Sequence, residues 1–180
     1  MHRRIFVAIN PDKQTIAKIG ELTDKCRKKL PLGIERQIRF LAPENWHITL
    51  SFLGYQDERG IEKIKSALAA TVQRVRQLCI ELEKLLFAGK PPQMIWVSCT
   101  KKTSEKLGDI KKIFEDSLEE GGVLFRREAR EFNAHVTLAR FQIRLPQPKP
   151  EIEKGINLQF DAGGLDLMES KLERSGAKYT

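Results

Sequence analysis

Two segments of this sequence share one pattern: NWHITLSF at Asn45–Phe52 and NAHVTLAR at Asn133–Arg140. Each contains Asn-x-His-x-Thr-Leu, and apart from His2 the two segments hold every histidine of the 180-residue chain. Short runs that alternate and are rich in β-branched residues are typical of strands. The repeat therefore predicts an internal duplication, in which each of two related halves contributes one such strand.

The repeated strands present polar side chains on one face. In a β-strand, residues i and i+2 point to the same side, so His47 and Thr49 share a face while Ile48 points into a core. His135 and Thr137 are related in the same way. If the two halves pack about a twofold axis, the two His-Thr pairs face each other across a cleft.

The rest of the chain predicts strands and helices in both halves, and hence two α+β lobes. The doubly wound nucleotide fold is disfavoured, because no glycine-rich turn follows the first strand. A hairpin is expected around Ala162–Gly164, and Pro146–Pro150 is expected to be a stiff connection. The predicted helices are Pro11 to about Leu30, Asp57 to about Gln77 with Val72 on its apolar face, and Thr103–Leu118. The predicted strands are Arg3–Asn10, Arg36–Leu41, Trp46–Leu53, Cys79–Phe87, Met94–Thr100, Phe132–Arg140, Ile156–Phe160 and Leu165–Leu172.

Composition indicates a globular protein with an anionic partner. Hydrophobic residues make up 41% and charged residues 31%, and the net charge of +8 favours nucleic acid, although basic runs also fit solvated helix faces. No apolar run reaches the roughly 18 residues of a membrane helix, and the first residues predict a strand rather than a signal peptide. Cys26, Cys79 and Cys99 form no CxxC pattern, which predicts reduced thiols and a cytoplasmic protein.

Two opposed histidines suit displacement at phosphorus, which needs a base on the attacking oxygen and an acid on the leaving oxygen. Histidine titrates near pH 6.5, so one neutral and one protonated imidazole, at His47 and His135, can coexist near neutrality. Thr49 and Thr137 could donate hydrogen bonds to the phosphate oxygens. Arg140 suits phosphate, but an ideal strand points it away from Thr137 unless the strand ends or bulges there.

Other interpretations of the two motifs are weaker. A single His-x-Thr is usually a surface or core pair, but chance is a poor explanation for two matching copies. A metal site is disfavoured because the two strands supply no Asp or Glu ligand. No serine or cysteine lies in a Gly-x-Ser-x-Gly elbow. Trp46 and Phe52 could stack on a base, but alternation predicts that both lie on the core side, opposite His47.

At this level of detail the sequence resembles the 2H phosphoesterases, and within them the RNA 2′,3′-cyclic phosphodiesterases, also described as 2′-5′ RNA ligase-like. The two motifs, in Glu44–Gly54 and Phe132–Arg140, resemble the two signatures of that family. The strands at Arg3–Ile9 and Met94–Val97 and the segment Leu167–Thr180 also resemble the family. The resemblance therefore covers nearly the whole chain.

The resemblance implies one bilobal domain over residues 1–180, an α+β duplicated fold with two antiparallel-sheet lobes and outer helices around a central cleft. It implies metal-independent hydrolysis of a terminal 2′,3′-cyclic phosphate to a 2′-phosphate, with no cofactor. His47 would be the proton donor and His135 the proton acceptor. Thr49 and Thr137 would hold the phosphate, and Arg140 matches an arginine that often follows the second motif. Ala134 departs from the family, which often has proline there.

The expected partner is RNA with a 2′,3′-cyclic phosphate end, or a nucleotide 2′,3′-cyclic phosphate, bound by a monomer away from membranes. Weak ligation in the reverse direction is a second activity to consider, but water should outcompete a hydroxyl unless the RNA ends are held together. A different class of function is a nucleotide- or RNA-binding module that keeps the cleft and has little catalysis. The presence of both histidines favours the enzyme.

Overall fold

A computed structural model of the chain describes residues 2–75, 78–143, 152, 155–173 and 176–180. Within these residues the fold is α+β, and every strand pairing is antiparallel. The helices are α1 (Lys13–Lys29), α2 (Glu58–Arg74) and α3 (Lys101–Glu120). The strands are β1 (Arg3–Ile9), β2 (Arg39–Phe40), β3 (Ile48–Gln56), β4 (Cys79–Ala88), β5 (Met94–Cys99), β6 (His135–Arg140), β7 (Leu158–Asp161), β8 (Asp166–Glu173) and β9 (Gly176–Tyr179).

Each helix begins at a side-chain cap. Asp12, Asp57 and Thr100 precede α1, α2 and α3, and each accepts a hydrogen bond from the backbone N–H three residues later, at 2.7, 2.7 and 3.2 Å. These caps satisfy N–H groups that have no partner inside the helix. Helices α2 and α3 then pack against each other and against β3, which supports the first motif strand from behind.

The strands follow the order β7-β4-β5-β6-β3-β1-β8-β9, with β2 beside β6. Two groups of four strands therefore meet where β6 adjoins β3. Each group places its motif strand innermost, β3 in one and β6 in the other. The predicted duplication of the fold is confirmed, and the group around β3 combines strands from both ends of the chain.

The two groups of strands are joined at one ladder position in the described chain. Among the described residues, β3 and β6 pair only at Ile48 and Val136. Both side chains are fully buried, at 0% exposure, within the hydrophobic core. Because the pairing is antiparallel and central to both motifs, the polar residues that flank it lie side by side on the opposite face.

Both motif strands carry a β-bulge at the leucine of the motif. In the β1–β3 ladder the pairing passes from Thr49 to Ser51 and leaves Leu50 without a partner. In the β5–β6 ladder the pairing likewise skips Leu138. An extra residue in one strand reverses the alternation of the side chains beyond it. The two halves therefore share this irregularity as well as their sequence pattern.

Strands β7 and β8, which flank Ala162–Gly164, do not form the predicted hairpin. Strand β7 pairs with β4, whereas β8 pairs with β1 in the other group of strands. Neighbouring strands in a sequence usually pair, which is why the hairpin was expected. Here the connection through Ala162–Gly164 instead carries the chain from one half of the sheet to the other, because each half needs a further strand.

Smaller differences from the sequence predictions occur at the edges of elements. Arg36–Leu41 is a 3₁₀ turn at Glu35–Gln37 followed by the two-residue β2, and β9 was not predicted. Val72 is 42% exposed, so its placement on the buried face of α2 was wrong. Gln77, where α2 was expected to end, and the predicted connection Pro146–Pro150 lie outside the described residues.

The structure describes the three cysteines and the helices for which the composition made predictions. Cys26, Cys79 and Cys99 are free thiols, and only Cys79 of the three is exposed. None of the helices in the described part of the chain combines the length and the apolar character that crossing a bilayer requires.

The one ladder position at which β3 pairs with β6 in the described chain predicts a specific stability effect. Ile48→Ala should lower the free energy of unfolding by about 2–5 kcal/mol, because it opens a cavity at the only ladder position that joins β3 to β6 in the described chain. Ile113→Ala is the matched control, since Ile113 on α3 is 38% exposed and should change stability by less than about 0.5 kcal/mol. Urea unfolding of both variants measures the difference, and equal effects would contradict the assignment.

Candidate active site

A cleft of about 680 Å³ opens on the face of the sheet where β3 meets β6. His47, Thr49, His135, Thr137 and Arg140 all line it. The structure thus brings together every residue that the sequence predicted for the site, from segments far apart in the chain.

The antiparallel register arranges the two motifs as a square. One residue beyond the single pairing position, His47 lies across from Thr137, and Thr49 lies across from His135. The histidines therefore occupy opposite corners, and diagonal positions of an antiparallel pair are roughly 7–8 Å apart. Such a spacing leaves room for a tetrahedral group between the two imidazoles, with one hydroxyl on each side.

The bulges decide which side chains lie beyond each motif. Because the ladder skips Leu138, Arg140 returns to the cleft face and lines the cleft beside Thr137. The same shift in β3 turns Phe52 into the cleft, where it is 52% exposed. The prediction that Phe52 lies in the core was therefore wrong, because it assumed unbroken alternation. Trp46 is buried at 3% exposure, as expected.

His135 is held by a backbone group and an aromatic ring. Its Nδ1 lies 2.7 Å from the carbonyl oxygen of Asn133. A carbonyl can only accept, so Nδ1 donates the proton and Nε2 carries the free lone pair in the neutral ring. The indole of Trp96 stacks on the imidazole, with centroids 3.6 Å apart and planes 19° apart. An indole face stabilises a cation above it, so this stack favours the protonated form of the His135 imidazole.

His47 is packed between two aromatic side chains. Phe6 on β1 lies 5.0 Å from its ring centroid and Tyr179 on β9 lies 4.9 Å away, edge to face. Both rings come from strands of the same half of the sheet, at opposite ends of the sequence. The first histidine is therefore oriented by packing that exists only after the terminal strands have joined.

Burial lowers the pKa of both imidazoles and so favours their neutral forms. Loss of water around His47 lowers its pKa from 6.5 to about 4, with smaller contributions in the same direction from His135 and Arg140. The backbone of Asn45 opposes this shift. The pKa of His135 is also lowered, mainly by burial. The effect of His135 on the pKa of His47 reflects how close the two rings lie.

The backbone before His135 explains the absence of proline at Ala134. The Ala134 N–H donates a hydrogen bond of 3.2 Å to the hydroxyl oxygen of Ser104, in the first turn of α3. The carbonyl of Ala134 accepts from the N–H of Cys99 at 2.9 Å. Proline has no N–H and could not make the first of these bonds. The N–H of Ala134 therefore links the start of the second motif strand to α3.

A buried ionic group lies among the residues that line the cleft. The hydroxyl of Ser51 donates a 2.6 Å hydrogen bond to Glu115 on α3, and the ammonium of Lys111 pairs with the same carboxylate. All three side chains are buried, at 3, 4 and 8% exposure. Ser51 reaches α3 because the bulge at Leu50 turns it away from the face that carries Thr49. The group ties the motif strand to the helix layer behind it.

The charge of the cleft favours an anion. Basic side chains outnumber acidic ones among the lining residues, and the arginines lie on strands and on the segment between α3 and β6. The basic residues are Arg4, Arg39, Lys111, Arg126, Arg130 and Arg140, and the acidic residues are Glu115, Glu128 and Glu131. Within the part of the chain that the structure describes, no three His, Cys, Asp or Glu side chains are grouped so as to hold a metal ion.

Sequence reasoning missed the aromatic residues of the site. Phe6, Trp96 and Tyr179 contact the two histidines, yet none lies in a motif. The alternation of β1 places Phe6 on the face opposite Val7, and this signal could have singled it out. Nothing in the local sequence of Trp96 or Tyr179 identifies a partner, because both contacts depend on the order of strands in the sheet.

Comparison with known proteins places this chain in a family. Residues 11–96 match the family model of LigT-like phosphoesterases. The RNA 2′,3′-cyclic phosphodiesterase of Aeropyrum pernix is 32% identical over 152 residues, which is 79% of this chain and 82% of the relative. The RNA 2′,3′-cyclic phosphodiesterase of Archaeoglobus fulgidus is 25% identical over 179 residues, which is 96% of this chain and 90% of the relative.

Solved structures share the fold. The Thermus thermophilus protein TT0787 superposes with a TM-score of 0.76 at 21% identity, covering 98% of this chain and 93% of that protein. Escherichia coli LigT complexed with 3′-AMP gives a TM-score of 0.71 at 21% identity, covering 100% and 95%. The family model and the relatives define a phosphoesterase of the 2H superfamily. This chain belongs to the LigT-like phosphoesterase family.

The lowered pKa of His47 predicts a loss of stability in acid. Between pH 6.5 and about 4 the unfolded chain binds a proton at this residue and the folded chain does not, so the free energy of unfolding falls as pH falls. The contribution is at most about 3 kcal/mol. His47→Gln should therefore be less sensitive to this pH change than the unmodified protein, as measured by urea unfolding at pH 7 and pH 4.5. His2→Gln, at an exposed histidine, is the control and should keep the full sensitivity.

Proposed function

We propose that residues 1–180 form one RNA 2′,3′-cyclic phosphodiesterase domain, which hydrolyses a terminal 2′,3′-cyclic phosphate to a 2′-phosphate. The observation that carries the proposal is the antiparallel pairing of β3 with β6, which sets two His-Thr pairs diagonally across one cleft. The names of the relatives from Aeropyrum pernix and Archaeoglobus fulgidus support the activity. The LigT structure complexed with 3′-AMP supports a nucleotide end as ligand.

The two histidines move protons on opposite sides of the phosphorus. The Nε2 lone pair of His135 accepts a proton from a water molecule as its oxygen attacks phosphorus. The bond from phosphorus to the 3′-oxygen then breaks, and His47 donates a proton to that oxygen. The products are a 2′-phosphate and a free 3′-hydroxyl. Solvent returns both histidines to their starting protonation states.

The hydroxyls and the arginine hold the phosphate in this scheme. Thr49 and Thr137 lie across from His135 and His47. Their hydroxyls donate hydrogen bonds to the two non-bridging phosphate oxygens, whose charge is retained through the transition state. Arg140 adds a permanent cation at the end of β6 that carries Thr137. These groups provide the acid, the base and the anion binding, so the proposed reaction uses no metal ion or cofactor.

Substrate binding prepares the acid. Burial lowers the pKa of His47 to about 4, which favours the neutral imidazole over the proton-donating form at neutral pH in the free protein. A bound cyclic phosphate carries one negative charge, which favours the protonated imidazole and raises its pKa. The phosphate thus favours protonation of His47, and this proton is later transferred to the 3′-oxygen. The same reaction run backwards would join RNA ends, but water in the cleft favours hydrolysis.

The proposal predicts the outcome of a direct assay. An RNA oligonucleotide that ends in a 2′,3′-cyclic phosphate should yield a 2′-phosphate in the presence of EDTA. His47→Ala and His135→Ala should each lower kcat by about 100- to 10,000-fold, since each removes one proton-transfer group. His2→Ala, outside the cleft, is the control and should keep full activity.

Thermal melting of the histidine variants checks that they remain folded. A folded variant that lacks either histidine and keeps full activity would contradict the two-histidine mechanism. An intact cyclic end that binds tightly to the unmodified protein would favour the binding module instead.

The pH dependence is a separate test of the proton roles. The value of kcat/KM should follow a bell-shaped curve, because one imidazole must be charged while the other is neutral. The pKa values of both histidines are lowered in the free protein, so the maximum should lie below pH 6.5. The maximum of kcat should lie at higher pH, since the bound phosphate raises the pKa of the acid. Steady-state rates from pH 4 to 9 measure both curves, and a kcat/KM maximum above pH 7 would be inconsistent with these shifts.

A further inference from the structure

Two arginines lie opposite each other on adjacent strands at one end of the cleft. Arg39 on β2 and Arg140 on β6 are partners in the antiparallel ladder, and both side chains line the cleft. Directly opposed residues of an antiparallel pair point to the same face, and two like charges in such a pair destabilise the sheet. An anion bound between the two guanidinium groups would remove this repulsion.

No carboxylate in the described part of the chain neutralises the two arginines. Neither Arg39 nor Arg140 takes part in an ion pair there. Arg140 instead places its Nη1 3.6 Å from the sulfur of Met94. In the same cleft, by contrast, Arg130 is paired with Glu128 at 3.0 Å. The Arg39–Arg140 pair is therefore the part of the wall where two adjacent positive charges are available to a ligand.

The described ladders contain one other opposed pair of cations, Lys171 on β8 and Lys178 on β9. That pair lies outside the cleft, and a carboxylate oxygen of Glu169 is 4.0 Å from the ammonium of Lys171. Salt screens like charges on an open surface. The two arginines differ because they lie on the wall of a concave basic surface, where neighbouring charges of the same sign increase the positive potential.

The arginine pair lies just beyond the proposed acid. Thr137 is across from His47, and Arg140 is two ladder positions farther along β6, because the pairing with β5 skips Leu138. Two strand positions span roughly 7 Å, at about 3.3 Å each. A second phosphate held by the arginines would therefore lie on the His47 side of the two His-Thr pairs, at a distance that one ribose can bridge.

The connectivity of ribose agrees with this position. The proposed leaving oxygen is attached to C3′, which is bonded to C4′, and C4′ carries the 5′ carbon. Along the sugar, the 5′-phosphate is thus nearer to the 3′-oxygen than to the 2′-oxygen. A nucleotide whose 3′-oxygen faces His47 therefore directs its 5′-phosphate toward the end of the cleft that contains Arg39 and Arg140.

We propose that Arg39 and Arg140 bind the internucleotide phosphate on the 5′ side of the terminal nucleotide, so that the preferred substrate is an RNA strand rather than a mononucleotide. This inference rests on the proposed function and adds the substrate class and its orientation. Arg39 takes no part in proton transfer, and Arg140 lies between the two phosphates. Binding of the 5′-phosphate at this end places the 3′-oxygen, and not the 2′-oxygen, beside His47.

The test compares two dinucleotides that differ in one charge, together with a mononucleotide. The first dinucleotide is adenylyl-adenosine with a terminal 2′,3′-cyclic phosphate, the second has a neutral methylphosphonate link instead, and adenosine 2′,3′-cyclic phosphate has no second phosphate. The KM of the unmodified protein should be about 3- to 10-fold lower for the charged than for the neutral dinucleotide, as for one charge-assisted contact open to solvent.

Arg39→Gln should raise the KM for the charged dinucleotide by the same factor. It should change the KM for the neutral dinucleotide and for the mononucleotide by less than about twofold, because removing both partners of one contact costs no more than removing either. Equal effects of Arg39→Gln on the two dinucleotides, or no effect on either, would overturn the proposal.

Two further variants separate phosphate binding from a general change of charge. Arg39→Lys keeps the charge but lacks the planar fork of the guanidinium, so its KM for the charged dinucleotide should be intermediate. Arg36→Gln is the matched control, because Arg36 is an exposed arginine close in sequence that does not line the cleft. It should leave the KM for all three substrates unchanged, and an effect equal to that of Arg39→Gln would contradict a specific contact.

Calorimetric binding of 2′-AMP and adenosine 2′,5′-bisphosphate distinguishes this inference from the proposed activity. If the protein hydrolyses nothing but binds the bisphosphate more tightly, and Arg39→Gln removes that difference, then the second phosphate site stands and the proposed activity fails. If hydrolysis occurs and Arg39→Gln affects both ligands equally, then the activity stands and the second phosphate site fails. If there is no hydrolysis and neither ligand binds, both are overturned.

Discussion

The site depends on one antiparallel contact, the pairing of Ile48 with Val136 between β3 and β6. Each residue is the middle of a His-x-Thr triplet, so this single register sets both imidazoles and both hydroxyls on one face. A slip of one residue would turn one triplet over and bury its histidine in the core. The apolar side chains between the polar ones therefore do more than fill space, because their burial specifies the register.

The bulges at the two motif leucines extend the site beyond the triplets. Each bulge directs one further residue into the cleft, Phe52 from β3 and Arg140 from β6, and the first also sends Ser51 back to Glu115 on α3. A buried ion pair is weak evidence of stability, and here the observed contact is that Ser51 and Lys111 both bind the Glu115 carboxylate. Duplication thus supplies two equivalent positions, one on each motif strand. Because their side chains differ, the two ends of the cleft are chemically different.

Burial of the histidines has opposite consequences before and after substrate binding. Burial lowers the pKa of His47 and His135, and we expect the folded protein to lose stability in acid as a result. A phosphate in the cleft reverses the balance, because its charge favours an imidazolium beside it. The same aromatic packing that excludes water therefore makes the proposed acid dependent on its substrate for its proton.

The repeated Asn-x-His-x-Thr-Leu pattern by itself determined the strand character of both motifs, the duplication of the fold and four of the five predicted site residues, because alternation and residue chemistry are local properties. It left Arg140 conditional on a bulge and placed Phe52 in the core, since a skipped ladder position cannot be seen without the neighbouring strand. Only the tertiary structure decided those two residues, together with the packing of Phe6, Trp96 and Tyr179 on the histidines. The separation of β7 from β8 was decided in the same way. In each case the physical reason is strand order and register, which are set by contacts between segments far apart in the sequence.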